Sequence, residues 1–197
     1  MTLDLIKSEL SGCAICADRF AVTKSAHAPR PVVWFDQEAR ILIASQAPGA
    51  RAHKSQKPFT DPSGVRLRNW LGVDETTFYD QRRFAIVPMG FCFPGYDAKG
   101  ADLPPPAICA KTWRAPILEH LKKIELILLI GGYAQKWHLG HASPVTQTVA
   151  GWRDHAPALF PLPHPSWRNT AWLKRNPWFE AETLPALKTA VRKSLAR

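Results

Sequence analysis

The sequence predicts an α/β protein, a three-layer α/β/α sandwich built on a four-stranded, mostly parallel sheet. Three observations carry that prediction. Four short, continuous apolar runs recur along the chain, the pattern of strands covered on both faces. Stretches with apolar residues at helical spacing lie between them. Each run also ends in a turn-rich loop; three of the four loops hold Gly, and all but the third hold Pro.

Taken in order, the first strand is Arg40–Ser45 (RILIAS). A helix follows at Gly64–Leu71, where Val65, Leu67, Trp70 and Leu71 fall near one face. The second strand is Phe84–Pro88. The next helix is Ala107–Lys123, with Ile108, Trp113, Ile117, Leu118 and Leu121 at helical spacing and the rigid DLPPPA as its lead-in. Leu126–Ile130 is the third strand, and Gly132–Leu139 a short helix after it. The stretch His141–Arg153 reads as a mobile loop. Ala158–Leu162 is the fourth strand, and Ala181–Leu195 a C-terminal amphipathic helix. In parallel sheets of this kind the ligand sits outside the carboxyl ends of the strands. Attention therefore falls on SQAPGA, MGFCFPGYD, GGYAQ and PHPSW.

The 197 residues suit a single domain, taken as residues 1–197, with a full-sized core. At 46% apolar and 21% charged the chain is not a disordered one. No run approaches the roughly 20 apolar residues of a membrane span, and MTLDLIKSEL has no basic region followed by an apolar core. The expectation is a cytoplasmic monomer without membrane contact. The formal charge of +10 and pI near 9.8 point to a polyanionic partner, nucleic acid above all. Arg51, His53, Lys54, Lys57, Arg66 and Arg68 form one basic stretch. Arg168, Lys174 and Arg175 form another, interleaved with aromatics as in base-stacking grooves.

Five constellations carry chemistry. Cys13 and Cys16 form a CxxC, followed after 75 residues by Cys92 and after 16 more by Cys109. Four cysteines in a cytoplasmic chain suggest metal ligands over disulfides, and this spacing leaves a zinc ion and a [4Fe–4S] cluster both open. His164-Pro165-Ser166 places a histidine at a strand end, suited to stabilising developing negative charge; Ser166 can hold neighbouring backbone or a phosphate. Ser45-Gln46-Ala47-Pro48-Gly49 offers backbone amides and one side-chain amide, with Gln46 able to read a base edge. Lys57–Gly64 (KPFTDPSG) holds an aromatic between prolines, suited to stacking on an extruded base. Asp61 there has two readings, a cap for the helix near Gly64 or a carboxylate that positions water. Trp167–Phe179 (WRNTAWLKRNPWF) reads either as core packing or as a DNA-contacting lobe with a wedge, in which Arg168, Asn169, Lys174 and Arg175 meet DNA. His138 and His141, three apart, are a weaker zinc pair.

Together these segments resemble the iron–sulfur branch of the uracil-DNA glycosylase superfamily. That branch has, in order, CxxC, a GEAPG-like motif, PFxGxxG, a cysteine after the second strand, another at the next helix, and HPS. This chain has CAIC, SQAPG, PFTDPSG, GFC, AICAKTW and PHPS in that order, over roughly residues 13 to 180. The resemblance implies that Cys13, Cys16, Cys92 and Cys109 ligate a [4Fe–4S] cluster. It implies that Phe59 stacks on the extruded base and His164 stabilises the departing base anion. Gln46, Ala47 and Gly49 would line the pocket. The implied activity is hydrolysis of the N-glycosidic bond of uracil or another deaminated base, in damaged DNA that includes single strands. Two positions depart from the pattern. Many members carry an acidic residue in the first motif, where this chain has Gln46-Ala47, and an Asn at the second strand, where it has Pro88. Asp61 is the expected replacement carboxylate and Asp97 the second choice. Arg51, Lys54, Arg168, Lys174 and Arg175 would hold phosphates.

Overall fold

A computed structural model gives the fold, and it describes residues 1–196. Helix α1 (Leu3–Ser11) begins where the Thr2 hydroxyl accepts from the Leu5 N–H at 3.3 Å. A short α2 (Ala17–Ala21) follows. Strand β1 (Ile41–Ala44) leads into α3 (Ala50–Ser55), α4 (Pro62–Leu71) and α5 (Glu75–Phe78). Strand β2 (Phe84–Ile86) is followed by α6 (Ala107–His120), β3 (Leu126–Ile130), α7 (Gly132–Leu139) and α8 (Val145–Ala150). Strand β4 (Leu159–Leu162) precedes α9 (Thr170–Arg175), a π turn at Phe179–Thr183 and α10 (Leu184–Leu195).

The four strands pair in the order β2-β1-β3-β4, and every pairing is parallel. The pleat sends successive side chains to opposite faces. Ile41 and Ile43 of β1, with Leu126, Leu128 and Ile130 of β3, join a core built with Leu67 and Leu71 of α4 and Leu187 and Val191 of α10. Leu42 joins a second core, with Ile6 and Leu10 of α1 and Ile117 of α6. Helices cover both faces, as the three-layer reading requires. Their burial explains why the strands read as unbroken apolar runs.

The expected strands sit at their places; the third keeps its expected bounds and the other three are shortened to their hydrogen-bonded parts. The stretch His141–Arg153 is a correction. It holds α8 and a 3-10 turn at Trp152–Asp154, and Val149 and Trp152 lie in the core. Trp152 stacks on Phe160 with ring centres 5.5 Å apart. Val145, Val149 and Trp152 recur at helical spacing, a signal hidden by the polar residues between them. The C-terminal helix starts at Leu184 because the preceding turn is wound as a π turn. Among the described residues no helix is long and apolar enough to cross a membrane.

Because all four strands run in one direction, their carboxyl ends share one edge. The loops after β1, β2, β3 and β4 meet there.

Candidate active site

The loop after β4 fixes His164. Its Nδ1 accepts from the Ser166 N–H at 3.1 Å, which places the ring proton on Nε2. The Asn169 side chain donates to the His164 carbonyl at 2.7 Å. Burial lowers the His164 pKa, partly opposed by the negative charge of Asp61. The neutral imidazole is therefore an Nε2–H donor at the strand end. Asn169, expected to meet DNA, holds the histidine backbone instead.

Phe59 is set by an unusual backbone. Its φ is +54°, and its carbonyl accepts from the Tyr79 hydroxyl at 3.0 Å, as the Pro58 carbonyl does at 2.9 Å. The ring meets Phe78 edge-on at 6.1 Å. Gly64 makes this possible, because a β-carbon there would fall 1.8 Å from the Phe59 carbonyl oxygen. Asp61 caps α4, its carboxylate accepting from Gly64 N at 3.3 Å and from the Ser63 hydroxyl at 2.5 Å.

A cleft of about 460 Å³ gathers these groups. Ala47 and Gly49 from the loop after β1, Phe59 and Asp61, Pro88 from the loop after β2, and His164 and Ser166 from the loop after β4 all line it. Seven expected site residues thus share one wall. Arg51 and Arg168 line the cleft too, whereas Lys54, Lys174 and Arg175 stand exposed elsewhere on the surface.

Gln46 departs from expectation. Its side chain lines a neighbouring cleft of about 440 Å³ on the other side of His164, and it reaches the Leu103 carbonyl at 3.5 Å. Ala47, the next residue in the loop after β1, is the one that lines Phe59's cleft. Asp97 is no site residue either. Its carboxylate accepts from the Lys99 and Ala101 N–H groups and shapes a turn. The carboxylate in the cleft that sequence reasoning passed over is Asp102, beside Tyr96. Desolvation there raises its pKa, while Arg168 lowers it and Asp61 raises it.

The tryptophan-rich lobe divides in two. The Trp172 indole donates to the Thr146 hydroxyl at 2.7 Å and packs on Trp178 and Phe179. Trp167 is 72% exposed at the cleft mouth, with the Arg168 guanidinium 5.9 Å from its ring. The core-packing reading holds for Trp172, whereas Trp167 stands out at the cleft.

Comparison with protein families completes the picture: the family model of the uracil DNA glycosylase superfamily matches residues 32–188. The chain belongs to that superfamily. Its members are typically hydrolases of N-glycosyl bonds, and the matched span includes every residue of the Phe59–His164 cleft named above.

Cys13 and Cys16 precede the span matched to the superfamily, and Cys92 and Cys109 lie within it. All four thiols line one apolar cavity with Phe20, Phe91 and Trp113. Burial pushes the Cys92 thiol up to about 12 and the Cys109 thiol up to about 11, and in each case the other cysteines add to the rise. The Phe91 N–H donates to the Cys109 sulfur at 3.4 Å. Among the described residues, no group of three or more His, Cys, Asp or Glu is placed to hold a metal ion. His138 and His141 do not form a site: His138 bonds Arg114 at 2.7 Å, and His141 bonds Ser143 at 3.2 Å.

Arg114 is the other residue that sequence reasoning missed. Fully buried, it donates to the carbonyls of Val87 and Pro88 and so anchors the strand end that lines the superfamily cleft. Burial and the Arg114 charge bring His138 down to about 3, which keeps it a neutral acceptor. Arg114, Ile117 and Leu121 share helical spacing, the one hint that this arginine faces inward.

Proposed function

We propose that this protein hydrolyses the N-glycosidic bond of uracil or another deaminated base in DNA. The observation that carries the reading is the shared cleft of Phe59 and His164, with the imidazole held as a neutral Nε2–H donor. An extruded base stacks on Phe59. As the glycosidic bond lengthens, positive charge grows on the sugar and negative charge on the base. His164 and the backbone amides around Ala47 face the base anion. The Asp61 carboxylate, held in place by its cap bonds, offsets the positive sugar. Arg51 and Arg168 at the cleft, with Lys54, Lys174 and Arg175 on the surrounding surface, hold phosphates.

The four cysteines, which line one cavity, would hold a [4Fe–4S] cluster, as in the iron–sulfur branch that the chain resembles. The Phe91 N–H, which donates to the Cys109 sulfur, suits a thiolate there. The cluster's role would be structural, tying the N-terminal segment to the β2 and α6 loops.

The test is single-turnover release of base from oligonucleotides with uracil, hypoxanthine or xanthine, single- and double-stranded. Wild type releases at least one base, and His164→Ala lowers the rate by about 10²–10³-fold. Equal, negligible release by both would remove the enzymatic reading. One observation favours a second reading, a DNA-binding protein without turnover: Gln46 lies outside the cleft, and Pro88 brings no amide to it. It predicts salt-sensitive affinity for DNA and no abasic product. For the metal site, a brown protein absorbing near about 400 nm, with iron and sulfide in equal amounts, supports the cluster. A colourless protein with stoichiometric zinc excludes it.

A further inference from the structure

We infer that Asp102 orients and deprotonates the attacking water, taking the place of the acidic residue that the first motif lacks. The inference rests on the glycosylase reading above and assigns a residue that reading leaves open.

Three observations lead to it. First, Gln46 turns out of the Phe59 cleft and touches the carbonyl of Leu103. Asp102, the neighbour of Leu103, lines the Phe59 cleft instead. The loop after β2 thus brings a carboxylate beside the motif that lacks one. Second, the position of that loop is fixed. The Leu103 N–H donates to the Gly95 carbonyl at 2.9 Å, and Tyr96 and Asp102 form a bridge across the loop's base. Third, the carboxylates of the cleft differ in what they already hold. Asp61 is engaged by Ser63 and Gly64. Among the described residues, no hydrogen bond or ion pair engages the Asp102 carboxylate, so both of its oxygens can accept from water. Its partial desolvation makes it a stronger base than a fully hydrated carboxylate. Two carboxylates in different surroundings then divide the work, Asp61 as a fixed charge and Asp102 as a proton acceptor.

The step balances simply. Water oxygen bonds to C1′ of the sugar while the bond from C1′ to the base nitrogen breaks, its electron pair leaving on the base. The water proton passes to the Asp102 carboxylate and from there, through solvent, to the released base. The products are an abasic site and the free base.

The experiment compares wild type, Asp102→Asn, Asp102→Glu, Asp61→Asn and His164→Ala. It measures single-turnover release on the best substrate of the panel, and affinity for the same oligonucleotide carrying a 2′-fluoro sugar, which resists cleavage. Asp102→Asn is expected to lose about 10²–10⁴-fold in rate at unchanged affinity, with Asp102→Glu recovering part of it. The groups facing Asp102 are Arg168 from the turn after β4, Asp61 ahead of α4, His164 at the end of β4 and Tyr96 in its own loop. With these retained, the wild-type rate falls on acidification as Asp102 protonates, and this limb is absent in Asp102→Asn. Release by wild type and Asp102→Asn within threefold of each other, with His164→Ala impaired, overturns the role of Asp102 and leaves the glycosylase reading intact. Release by none of the five proteins overturns both.

Discussion

Replacing Gly64 by alanine isolates the contact that holds Phe59 at the cleft. A β-carbon at residue 64 would lie 1.8 Å from the Phe59 carbonyl oxygen, 2.7 Å from its carbonyl carbon and 2.9 Å from its β-carbon. Such contacts do not close below 3.0 Å, so the two segments must part by about 1.2 Å or more. Parting is opposed on both sides. The Phe59 carbonyl is bonded to Tyr79 at 3.0 Å, and α4 is bound into the core through Leu67 and Leu71. Overpacking costs about 1–3 kcal/mol, and the upper end applies because the obstructing atoms are backbone. The gain in helix propensity from alanine, about 1 kcal/mol, works in the other direction and is smaller. A net loss of about 2 kcal/mol lowers Tm by about 4–8 °C in a chain of this length. The displaced Phe59 should also lower base release by about 10²-fold. Gly49→Ala is the control, since its β-carbon meets nothing within 4 Å. It should change stability by less than about 0.5 kcal/mol. Thermal melts of the three proteins decide the matter. If Gly64→Ala melts with wild type, the close approach of Phe59 to α4 is refuted.

Three further outcomes are expected. Trp152→Ala removes a core ring from the stretch that reads as a loop, and denaturant unfolding should register a loss of about 3–5 kcal/mol. Trp167→Ala, by contrast, should leave stability within about 0.5 kcal/mol while weakening DNA binding at least about fivefold, read by fluorescence anisotropy. His164 titrates below its unfolded value near about 6.5, because burial disfavours the charged form. Its stabilising contribution is complete above that unfolded pKa and is lost as pH falls through the lower folded one. Melts of wild type between about pH 7.5 and pH 4.5 should therefore fall more steeply than those of His164→Gln, and parallel slopes would contradict the buried, neutral imidazole.

Much of the molecule was legible in the residues themselves. The four apolar runs announce strands because β1 and β3 are covered on both faces, and a doubly covered strand has no polar side to interrupt it. The PFTDPSG and HPS segments announce their residues because local chemistry sets their geometry: a cap at Asp61, a glycine where Phe59 presses in, a proline after His164. What could not be read there depends on where the chain returns in space. The path of the loop after β1, not composition, decides that Ala47 lines the Phe59 cleft and Gln46 the neighbouring one. Asp97 and Asp102 sit five residues apart in one loop, and only the turn closed by the Lys99 and Ala101 N–H groups sends the first into a backbone role and leaves the second in the cleft. Arg114 looks like an ordinary helical cation until α6 packs against β2 and buries it under the Val87 and Pro88 carbonyls. The sequence by itself determined the family, the sheet and the motifs whose Phe59 and His164 line the cleft, because short-range spacing encodes them. Tertiary structure alone decided which carboxylate of the loop after β2 joins Asp61 in the cleft and which tryptophan projects from it, because both follow from contacts between segments far apart in the chain.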